Sequence, residues 1–528
     1  MPPSRLPDSP PAETPTDLWV ARAVTFCVLL TAAIATLRPV LSHTPWMLFL
    51  EDDFFYYLKV AHNLAHGHGS TFNGIVATNG YHPLWLLLLT AVCAVTSAPK
   101  LILGFVALAI FVSSVAVYWL TRALLQRSSG LALLPASGLA AYATVYTMHV
   151  LFGGMEVVLT VPLVLLVAYL ATQPSLWKSE PSAPPADGTR QLALLGLATS
   201  AMILSRLDTI LLAALFAVGI LSRRDLRRSL RPPQLRGLAL GLLPVLLYFL
   251  SNIVFFHTLL PVSGQAKQLK SNLVPSPIPW ASAFHHPPSQ LINFVPILFA
   301  IAFVLFRGRS FKSTERAIYL PVLAFPFLYI ALLSLLSDWQ LWGWYLYPFR
   351  TAFCVSLAVL CTIPALRNLL ENRTVTALLL LFVLAHLPSA VWRVAGRETI
   401  YNAALDIQHF ALTHPGTYAM GDRSGMVAWL LPDSVVQTEG LVMEKHFLAA
   451  IRTQQPLGSV LAQYNVRYYI ATTQQPPPGC FQAAEPFQAG PASPHMRAEL
   501  CQPPLAVIHH GDWYNLVYDL APPAFSPR

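Results

Sequence analysis

Long apolar stretches alternate with short polar ones through most of the chain. Stretches of about 20 apolar residues cross a lipid bilayer as α-helices. After residue 394 the apolar runs become short and mixed, and Gly, Pro and Gln are frequent, which predicts a small α/β domain outside the membrane. The pattern predicts twelve membrane helices, near 18–41, 81–97, 100–120, 131–147, 154–171, 191–205, 208–221, 237–256, 291–306, 317–336, 346–366 and 375–394.

The same pattern divides the chain into three parts. Residues 1–17 are polar and rich in Pro, and are predicted to be a disordered cytoplasmic tail. Residues 18–394 are predicted to be the membrane domain. Its first helix, 18–41, is expected to remain uncleaved because no basic segment of a signal peptide precedes it. Residues 395–528 are predicted to be the outer α/β domain.

Arginine placement predicts which helix ends face the cytoplasm. The loop 222–236 carries six Arg residues and one acid, Asp225, and basic residues concentrate in cytoplasmic loops. Counting crossings from this loop places 257–290, 337–345 and the α/β domain outside.

The loop 42–80 conflicts with a simple count. It contains three consecutive acids and no Arg, which predicts an outer position, whereas two helices between 81 and 120 would put it inside. Either 81–97 is too short to cross and lies in the interface, or one more crossing exists. The predicted number of transmembrane helices is therefore odd, 11 or 13.

Composition strengthens the membrane assignment. Hydrophobic residues make up 55% of the chain and charged residues 11%, against about 25% charged residues in soluble domains. This excludes a soluble enzyme and a disordered chain. The net charge of +9 comes from Arg clusters between the helices, so membrane topology explains it and no nucleic-acid partner is expected. Membrane lipid is the expected surrounding.

Cys480 and Cys501 lie in the outer domain, where an oxidising compartment would permit a disulfide.

The first outer loop, 42–80, carries the most distinctive residues. Glu51, Asp52 and Asp53 are consecutive carboxylates at the membrane surface, and a helix with one apolar face follows them. This helix is predicted to lie in the interface with its apolar side toward lipid. Asp52 could simply cap the helix, because Asp favours that position. A loop punctuated by Gly then returns to the membrane at Tyr-His-Pro-Leu-Trp, residues 81–85.

Residues 51–85 resemble the first-loop signature of GT-C-type glycosyltransferases. The matching strings are D-D-x-F-Y-Y-L-x-x-A-x-N-L-A-x-G-x-G and T-N-G-Y-H-P-L-W. These multispanning enzymes use polyprenyl-phosphate-linked sugars, so the resemblance implies a GT-C-like polytopic helical fold and inverting sugar transfer. The Trp-Trp-Asp motif expected of oligosaccharyltransferases is absent, which argues against N-linked transfer.

The resemblance implies that Asp52 or Asp53 is the general base, and the prediction favours Asp52. Lys267, with Arg206, is the predicted contact for the donor phosphate. The two aspartates are also the candidates for binding Mg²⁺ or Mn²⁺, although no metal is firmly predicted. The predicted substrate-binding residues are Glu51, Tyr56, His82, Glu156, Arg206, Asp208, Lys267 and Tyr345.

Several of these residues also have purely structural explanations. Arg206 and Asp208 could form a salt bridge between two helices, and Lys267 could extend from a helix end to water. The aromatic residues between 339 and 347 could be an aromatic belt or could flank a sugar. Asp422 and Glu439, each beside Gly after a predicted strand, could occupy turns or recognise a substrate.

The predicted function is transfer of a sugar to a hydroxyl of a glycan, lipid or protein at the outer face. A bacterial inner membrane, with the active site toward the periplasm, is the expected location. Two alternatives stay open: a transporter or flippase for a lipid-linked sugar, and a non-catalytic scaffold for envelope assembly. Paired helix repeats would favour the transporter, and none is visible in the sequence.

Overall fold

A computed structural model describes residues 14–177, 185–284, 288–307, 311–390 and 397–520. Each of the twelve predicted apolar stretches contains a helix. The helices of the membrane domain are α1 (Pro15–Leu41), α2 (Asp52–Ala65), α3 (Pro83–Val95), α4 (Pro99–Ser129), α5 (Leu133–Leu151), α6 (Val157–Ala171), α7 (Pro174–Trp177), α8 (Pro185–Ser205), α9 (Ile210–Leu221), α10 (Arg224–Ser229), α11 (Pro232–Phe256), α12 (Val262–Ala266), α13 (Ile278–Phe284), α14 (Pro288–Phe306), α15 (Ser313–Leu336), α16 (Tyr347–Leu360), α17 (Pro364–Glu371) and α18 (Arg373–His386).

The first helix begins before its predicted start at residue 18. Thr14 caps it, and the Thr14 hydroxyl accepts a hydrogen bond from the backbone N–H of Asp17 (3.2 Å). Residues 15–17 are therefore helical and do not belong to a disordered tail. The rest of that predicted tail, 1–13, lies outside the described residues.

The described residues contain four helices that are long and apolar enough to cross a membrane by themselves: α1, α4, α11 and α15. A fifth span would be a bent pair, Gly343–Leu360 with Pro364–Glu371, whose axes differ by 93°. The described residues also contain shorter apolar helices of 10–17 residues, among them α3, α6 and α9. The chain is an integral membrane protein, and the total of 11 or 13 crossings stays a prediction.

Contacts between helix ends assign the loops to two opposite ends of the bundle. At one end, the Arg367 guanidinium donates to the carbonyl of Ser129 (3.3 Å), which joins the turns after α4 and α16. At the other end, the N–H of Ser271 donates to the carbonyl of Ala492 (3.1 Å). The N–H of Ala492 donates to Asp338 (2.8 Å). The loops 257–290 and 337–345 therefore lie beside the C-terminal domain, as the arginine count predicts.

The length of α3 bears on the conflict over the loop 42–80. With 13 residues, α3 is about 20 Å long, which is shorter than the roughly 30 Å hydrocarbon core. The indole of Trp85, in its first turn, donates to the carbonyl of Gly154 (3.0 Å) at the end that carries the C-terminal domain. We infer that α3 does not cross and that α4 makes the return crossing. The loop 42–80 then lies at the end that carries the C-terminal domain without an additional helix.

The C-terminal part is the expected small α/β domain. Its elements are α19 (Arg397–Thr413), β1 (Thr417–Met420), α20 (Ser424–Leu430), β2 (Val435–Gln437), α21 (Lys445–Arg452), α22 (Leu457–Gln463), β3 (Val466–Thr473), β4 (Phe481–Glu485), β5 (Met496–Leu500), β6 (Ala506–His510) and β7 (Trp513–Asp519). The larger sheet has the strand order β2-β1-β3-β7-β6, and β4 and β5 form a separate antiparallel pair.

Strand connections create a crevice at one edge of the larger sheet. β1 is parallel to β2 on one side and to β3 on the other, and β7 is antiparallel to β3. The chain leaves β1 through α20 toward β2, then returns through α21 and α22 to the opposite side of β1. The chain thus leaves the carboxyl end of β1 toward β2, whereas it leaves the carboxyl end of β3 toward the side of β7, so these two connections diverge between β1 and β3. Open α/β sheets bind ligands at such points.

Cys480 and Cys501 are joined by a disulfide beside the β4–β5 pair. Glu499 lies close to both sulfur atoms, so these three side chains form a compact group of potential metal ligands. Because the metal-binding form of cysteine is the thiolate, disulfide-bonded sulfurs are not available as ligands. The Cys480–Cys501 disulfide is therefore a covalent cross-link in the fold.

Candidate active site between the first loop and the C-terminal domain

The helix after the three acids is buried in protein, which corrects the prediction that its apolar side faces lipid. Phe54, Phe55, Leu58 and Val60 are all completely buried. α2 packs between α3 and α20, and its predicted lipid face contacts the membrane domain, where Tyr57 donates to Glu156 and a Cβ at Gly154 would lie 2.8 Å from Phe54. The acids at its first turn therefore lie at an interface between two domains.

Residues of the loop signature hold this interface together. The Asn79 amide donates to the side chain of Asn252 (3.1 Å), and its oxygen accepts the N–H of Val262 (3.0 Å). Asn79 thus attaches the loop to α11 and α12. A Cβ at Gly80 would lie 1.9 Å from the carbonyl oxygen of Leu441, so only glycine permits this contact with the C-terminal domain.

Asp52 caps a helix of the C-terminal domain. One carboxylate oxygen accepts the N–H of Gly425 (2.8 Å) and the other accepts the N–H of Met426 (2.8 Å). These are free N–H groups of the first turn of α20. The sequence suggests that Asp52 could cap its own helix, α2. The N-cap of α2 is Glu51, so Asp52 does not have that role. Both Asp52 oxygens are occupied, which argues against the preferred assignment of Asp52 as the base.

Gly425 permits the close approach between the two domains. A Cβ at this position would lie 2.2 Å from the backbone oxygen of Asp52 and 2.8 Å from its carboxylate. We expect Gly425→Ala to destabilise the protein by roughly 1–3 kcal/mol, because backbone atoms must move apart. Thermal unfolding in detergent measures this loss. Gly104→Ala is the control, because apart from its own helix no atom lies within 4 Å of the added methyl group. Equal unfolding temperatures for both variants would contradict the docking geometry.

Asp53 differs from Asp52 in its surroundings. Both side chains are partly buried, but within the described residues the Asp53 carboxylate accepts no hydrogen bond. Burial raises the pKa of Asp53 to about 6, while the nearby Lys267 ammonium lowers it and the acids Asp422, Glu51 and Glu156 raise it. The side chain is therefore a carboxylate with oxygens free for an incoming group.

Lys267 provides the positive charge next to Asp53. Its ammonium donates to the Tyr345 hydroxyl (2.5 Å), the one side-chain partner it has among the described residues. The rings of Trp339 and Tyr345 lie 5.7 and 5.1 Å from the nitrogen. Burial lowers the pKa of Lys267, but Tyr345 and Asp53 raise it by more, so the group stays cationic. Trp339 and Tyr347 are buried, so these aromatic residues do not form a membrane belt.

Arg206, the other predicted phosphate contact, is held by acids instead. Its guanidinium is only 2% exposed and forms ion pairs with Glu156 and with Asp208 (Nε–Oδ2 2.9 Å). Both acids were predicted to bind substrate. The structural explanation, a salt bridge between Arg206 and Asp208, is what the structure shows. These two acids neutralise the Arg206 guanidinium, so it is not available to bind the donor phosphate.

Tyrosines and a histidine complete the network around Arg206. Tyr329 and Tyr347 donate to Asp208 (2.7 and 2.8 Å), and Tyr57 donates to Glu156 (3.1 Å). The N–H of Leu207 donates to Nδ1 of His82 (3.2 Å), so His82 attaches the start of α3 to α9. These contacts make a rigid, buried polar frame behind Tyr345, whose ring lies 4.6 Å from the Arg206 guanidinium.

Two further predicted substrate contacts have structural partners. Glu51 forms an ion pair with Arg397 at the start of α19, and its N–H donates to the carbonyl of Gly153 (2.9 Å). The Tyr56 hydroxyl lies 3.1 Å from the hydroxyl of Ser424. Like Asp52, both residues connect the first loop to other elements. Of the predicted set, the structure leaves Asp53, Lys267 and Tyr345 as an accessible group.

Three acids of the C-terminal domain form a cluster, and two of them, Asp422 and Glu439, interact electrostatically with Asp53. Burial raises the pKa of Asp422, Glu439 and Glu485, and for Glu485 the value is about 7. The Asp422 and Glu439 carboxyls also raise each other's proton affinity, because like charges repel. Sequence reasoning had noted Asp422 and Glu439 and had missed Glu485. Asp422 and Glu439 follow β1 and β2 of the larger sheet, and Glu485 ends β4 of the separate strand pair, so the three acids come together only when the domain has folded.

Joint binding of a divalent cation by Asp52 and Asp53 does not fit this arrangement. Mg²⁺ and Mn²⁺ need free oxygen ligands, and both Asp52 oxygens already accept N–H groups. Asp53 alone offers a single carboxylate. No step below depends on a metal.

The architecture combines a helical membrane bundle, an acidic first loop and a C-terminal α/β domain, which is the arrangement that the GT-C resemblance implies. No protein-family model matches the sequence, and no curated protein matches it. The fold similarity comes from solved structures.

Two of these structures are informative. One is the Archaeoglobus fulgidus oligosaccharyltransferase tethered to an acceptor peptide with an NVT sequon, with a TM-score of 0.51, 13% identity, and coverage of 91% of this chain and 74% of that one. The other is ArnT from Cupriavidus metallidurans bound to undecaprenyl phosphate, with a TM-score of 0.51, 12% identity, and coverage of 98% and 100%. At these identities the similarity shows the fold.

Proposed function

We propose that this protein is a membrane glycosyltransferase that moves a sugar from a polyprenyl-phosphate donor to a hydroxyl acceptor. The observation that carries the proposal is the combination of Asp53, a carboxylate without a hydrogen-bond donor among the described residues, and Lys267, a cation near enough to lower the pKa of Asp53. The similar fold of ArnT, whose structure holds undecaprenyl phosphate, supports the class of donor.

In the proposed reaction, the acceptor hydroxyl attacks the anomeric carbon of the donor sugar from the side opposite the phosphate. The Asp53 carboxylate takes the hydroxyl proton as the new C–O bond forms. The old bond between carbon and phosphate oxygen breaks, and the phosphate leaves with the electron pair as a stable anion. Lys267 and the Tyr345 hydroxyl hold that anion, so no acid must protonate it. A single displacement inverts the anomeric carbon.

We further propose that the reaction takes place at the end of the bundle that carries the C-terminal domain. The loop 42–80, Lys267 and Tyr345 all lie at this end. The opposite end contains the Arg-rich turns, which supports a cytoplasmic position there. In a bacterial inner membrane the active site would therefore face the periplasm.

The pH dependence of transfer follows from the surroundings of Asp53. A general base works only in its ionised form, and the pKa of Asp53 is raised to about 6. We expect kcat/KM to fall about tenfold for each pH unit below 6 and to level off above 7. A rate profile between pH 4.5 and 8.5 measures this. A flat profile through pH 5 would argue against Asp53 as the base.

Donor turnover is the test of the proposed class. Purified protein in lipid nanodiscs is incubated with radiolabelled polyprenyl-phosphate hexoses and pentoses and with a mixture of envelope glycans, lipids and proteins. Release of polyprenyl phosphate together with a labelled acceptor supports a transferase. Movement of intact donor across vesicles without turnover would instead indicate a transporter, and the absence of both would favour a scaffold.

A further inference from the structure

A wide cleft opens between the membrane domain and the C-terminal domain, next to the three acids beside Asp53. Its volume is about 840 Å³, within the range of sites for small molecules. Gln340 and Trp342, from the loop between α15 and α16, form one wall. The C-terminal domain supplies the other wall, with Arg423, Gln475, Phe487, Gln488 and Trp513 among its residues.

The cleft lies at the position where the sheet is expected to bind a ligand. Arg423 follows β1, and Thr473 and Gln475 follow the body of β3, so both strands contribute at their carboxyl ends. This is the point where the connections of β1 and β3 diverge. Trp513 begins the antiparallel strand β7 and therefore lies at the same edge. The strand connections and the position of the cavity therefore indicate the same ligand-binding site.

The chemistry of the lining favours a sugar over a lipid or a peptide. Trp342 and Phe487 expose 40% and 41% of their surfaces, and aromatic faces pack against the C–H faces of sugar rings. Gln340 and Gln475 carry amides that both donate and accept hydrogen bonds, which suits hydroxyl groups. No aliphatic side chain lines the cleft among the described residues, so an acyl chain would find no matching surface.

The charge of the cleft points to a neutral ligand. Arg423 contributes the cationic side chain of the lining, and its Nε lies 3.2 Å from a carboxylate oxygen of Asp422. The guanidinium also stacks on Trp513, 3.9 Å from the ring centroid. Arg423 is therefore neutralised and held in place by the protein. A phosphate or an acidic sugar would therefore gain little electrostatic stabilisation from Arg423.

The cleft is connected to the proposed reaction site on both walls. On the membrane side, Trp342 stacks on Trp344 (centroids 6.1 Å apart), and Trp344 contacts Tyr345 (6.2 Å), the partner of Lys267. On the other side, the N–H of Gln488 donates to Glu439 (3.1 Å), one of the acids beside Asp53. A ligand in the cleft would therefore reach toward Asp53.

We propose that this cleft binds the acceptor and that the acceptor is a neutral saccharide chain, with one ring packed between Trp342 and Phe487 and a free hydroxyl directed to Asp53. The inference rests on the proposed function and narrows its acceptor from glycan, lipid or protein to glycan.

The test uses the full-length protein in nanodiscs and two readouts. The first is binding to an immobilised panel of neutral microbial oligosaccharides, with acidic oligosaccharides and lipids in parallel. The second is transfer from donor to the best-bound oligosaccharide. Trp342→Ala and Gln475→Ala are compared with two controls outside the cleft, Trp19→Ala and Gln463→Ala, which are exposed like their counterparts.

The proposal expects the wild type to bind a neutral oligosaccharide and Trp342→Ala to bind it about tenfold more weakly, with a higher KM for that acceptor. Controls should match the wild type. Turnover only with a lipid or protein acceptor would overturn this proposal and leave the transferase intact. Oligosaccharide binding lost in Trp342→Ala, but without any donor turnover, would support the cleft and refute the proposed enzyme.

Discussion

The Asp53→Asn protein is expected to lose about 10²–10⁴-fold of its sugar transfer rate, the usual contribution of a general base. Asparagine has nearly the same size but cannot take a proton from the acceptor. Since Asp53 makes no hydrogen bond among the described residues, the fold should keep its stability. Transfer rate and thermal unfolding, measured on one preparation, separate these two effects.

Asp52→Asn is the matched control and should give the opposite pattern. An amide oxygen can accept one of the two N–H groups of α20, but the amide nitrogen faces the other donor. We expect a stability loss of about 0.5–2 kcal/mol, as for a lost helix cap, and a transfer rate within tenfold of the wild type. An inactive but stable Asp52→Asn, together with an active Asp53→Asn, would reverse the assignment of the base.

The Arg206→Met protein is expected to lose about 3–5 kcal/mol of stability, the largest loss among the variants considered. Removing this cation leaves Glu156 and Asp208 without their buried partner. A monodisperse preparation should be difficult to obtain, and any folded protein should unfold at a much lower temperature. Size-exclusion chromatography and thermal unfolding in detergent measure both outcomes.

The Lys267→Met variant tests whether Lys267, and not Arg206, binds the leaving phosphate. Lys267 is partly exposed, and its side-chain partner among the described residues is a neutral hydroxyl, so stability should change little. Transfer should fall about 10²-fold, because a charge that stabilises the leaving phosphate is lost. The pKa of Asp53 should also rise, since Lys267 lowers it. A stable, inactive Arg206→Met beside an active Lys267→Met would exchange their proposed roles.

Hydropathy alone predicted much of the fold. Long apolar stretches need no distant partner to be recognised, and each contains a helix. The placement of 257–290 and 337–345 beside the C-terminal domain followed from arginine positions, which act locally at each loop. What the sequence left open was α3, because a difference of a few residues in length decides whether a helix can cross.

The roles of the two aspartates could not be separated from the sequence. The groups that occupy Asp52 belong to Gly425 and Met426, more than 370 positions away. Distant contacts also explain the error about α2, whose apolar face packs against residues near Gly154 and Glu156 instead of lipid. A local pattern shows that a face is apolar, but it does not show what covers it.

Only part of the buried network around Arg206 could be predicted from the sequence. Asp208 lies two residues from Arg206, so their ion pair was a natural alternative. Glu156 lies 50 positions away, and only the packing of α6 against α8 brings it to the guanidinium. Glu485 had no local signal, because it ends a strand of the separate β4–β5 pair and reaches the turn after β1 only in the folded domain, where a Cβ at Gly421 would lie 2.6 Å from its carboxylate.

The most direct measurement is a structure of the protein with a non-hydrolysable analogue of a polyprenyl-phosphate sugar. Our account expects the phosphate against Lys267 and Tyr345, with the Asp53 carboxylate on the opposite side of the anomeric carbon and Asp52 still bound to the first turn of α20. A phosphate bound away from Lys267, or an anomeric carbon facing Asp52, would contradict it.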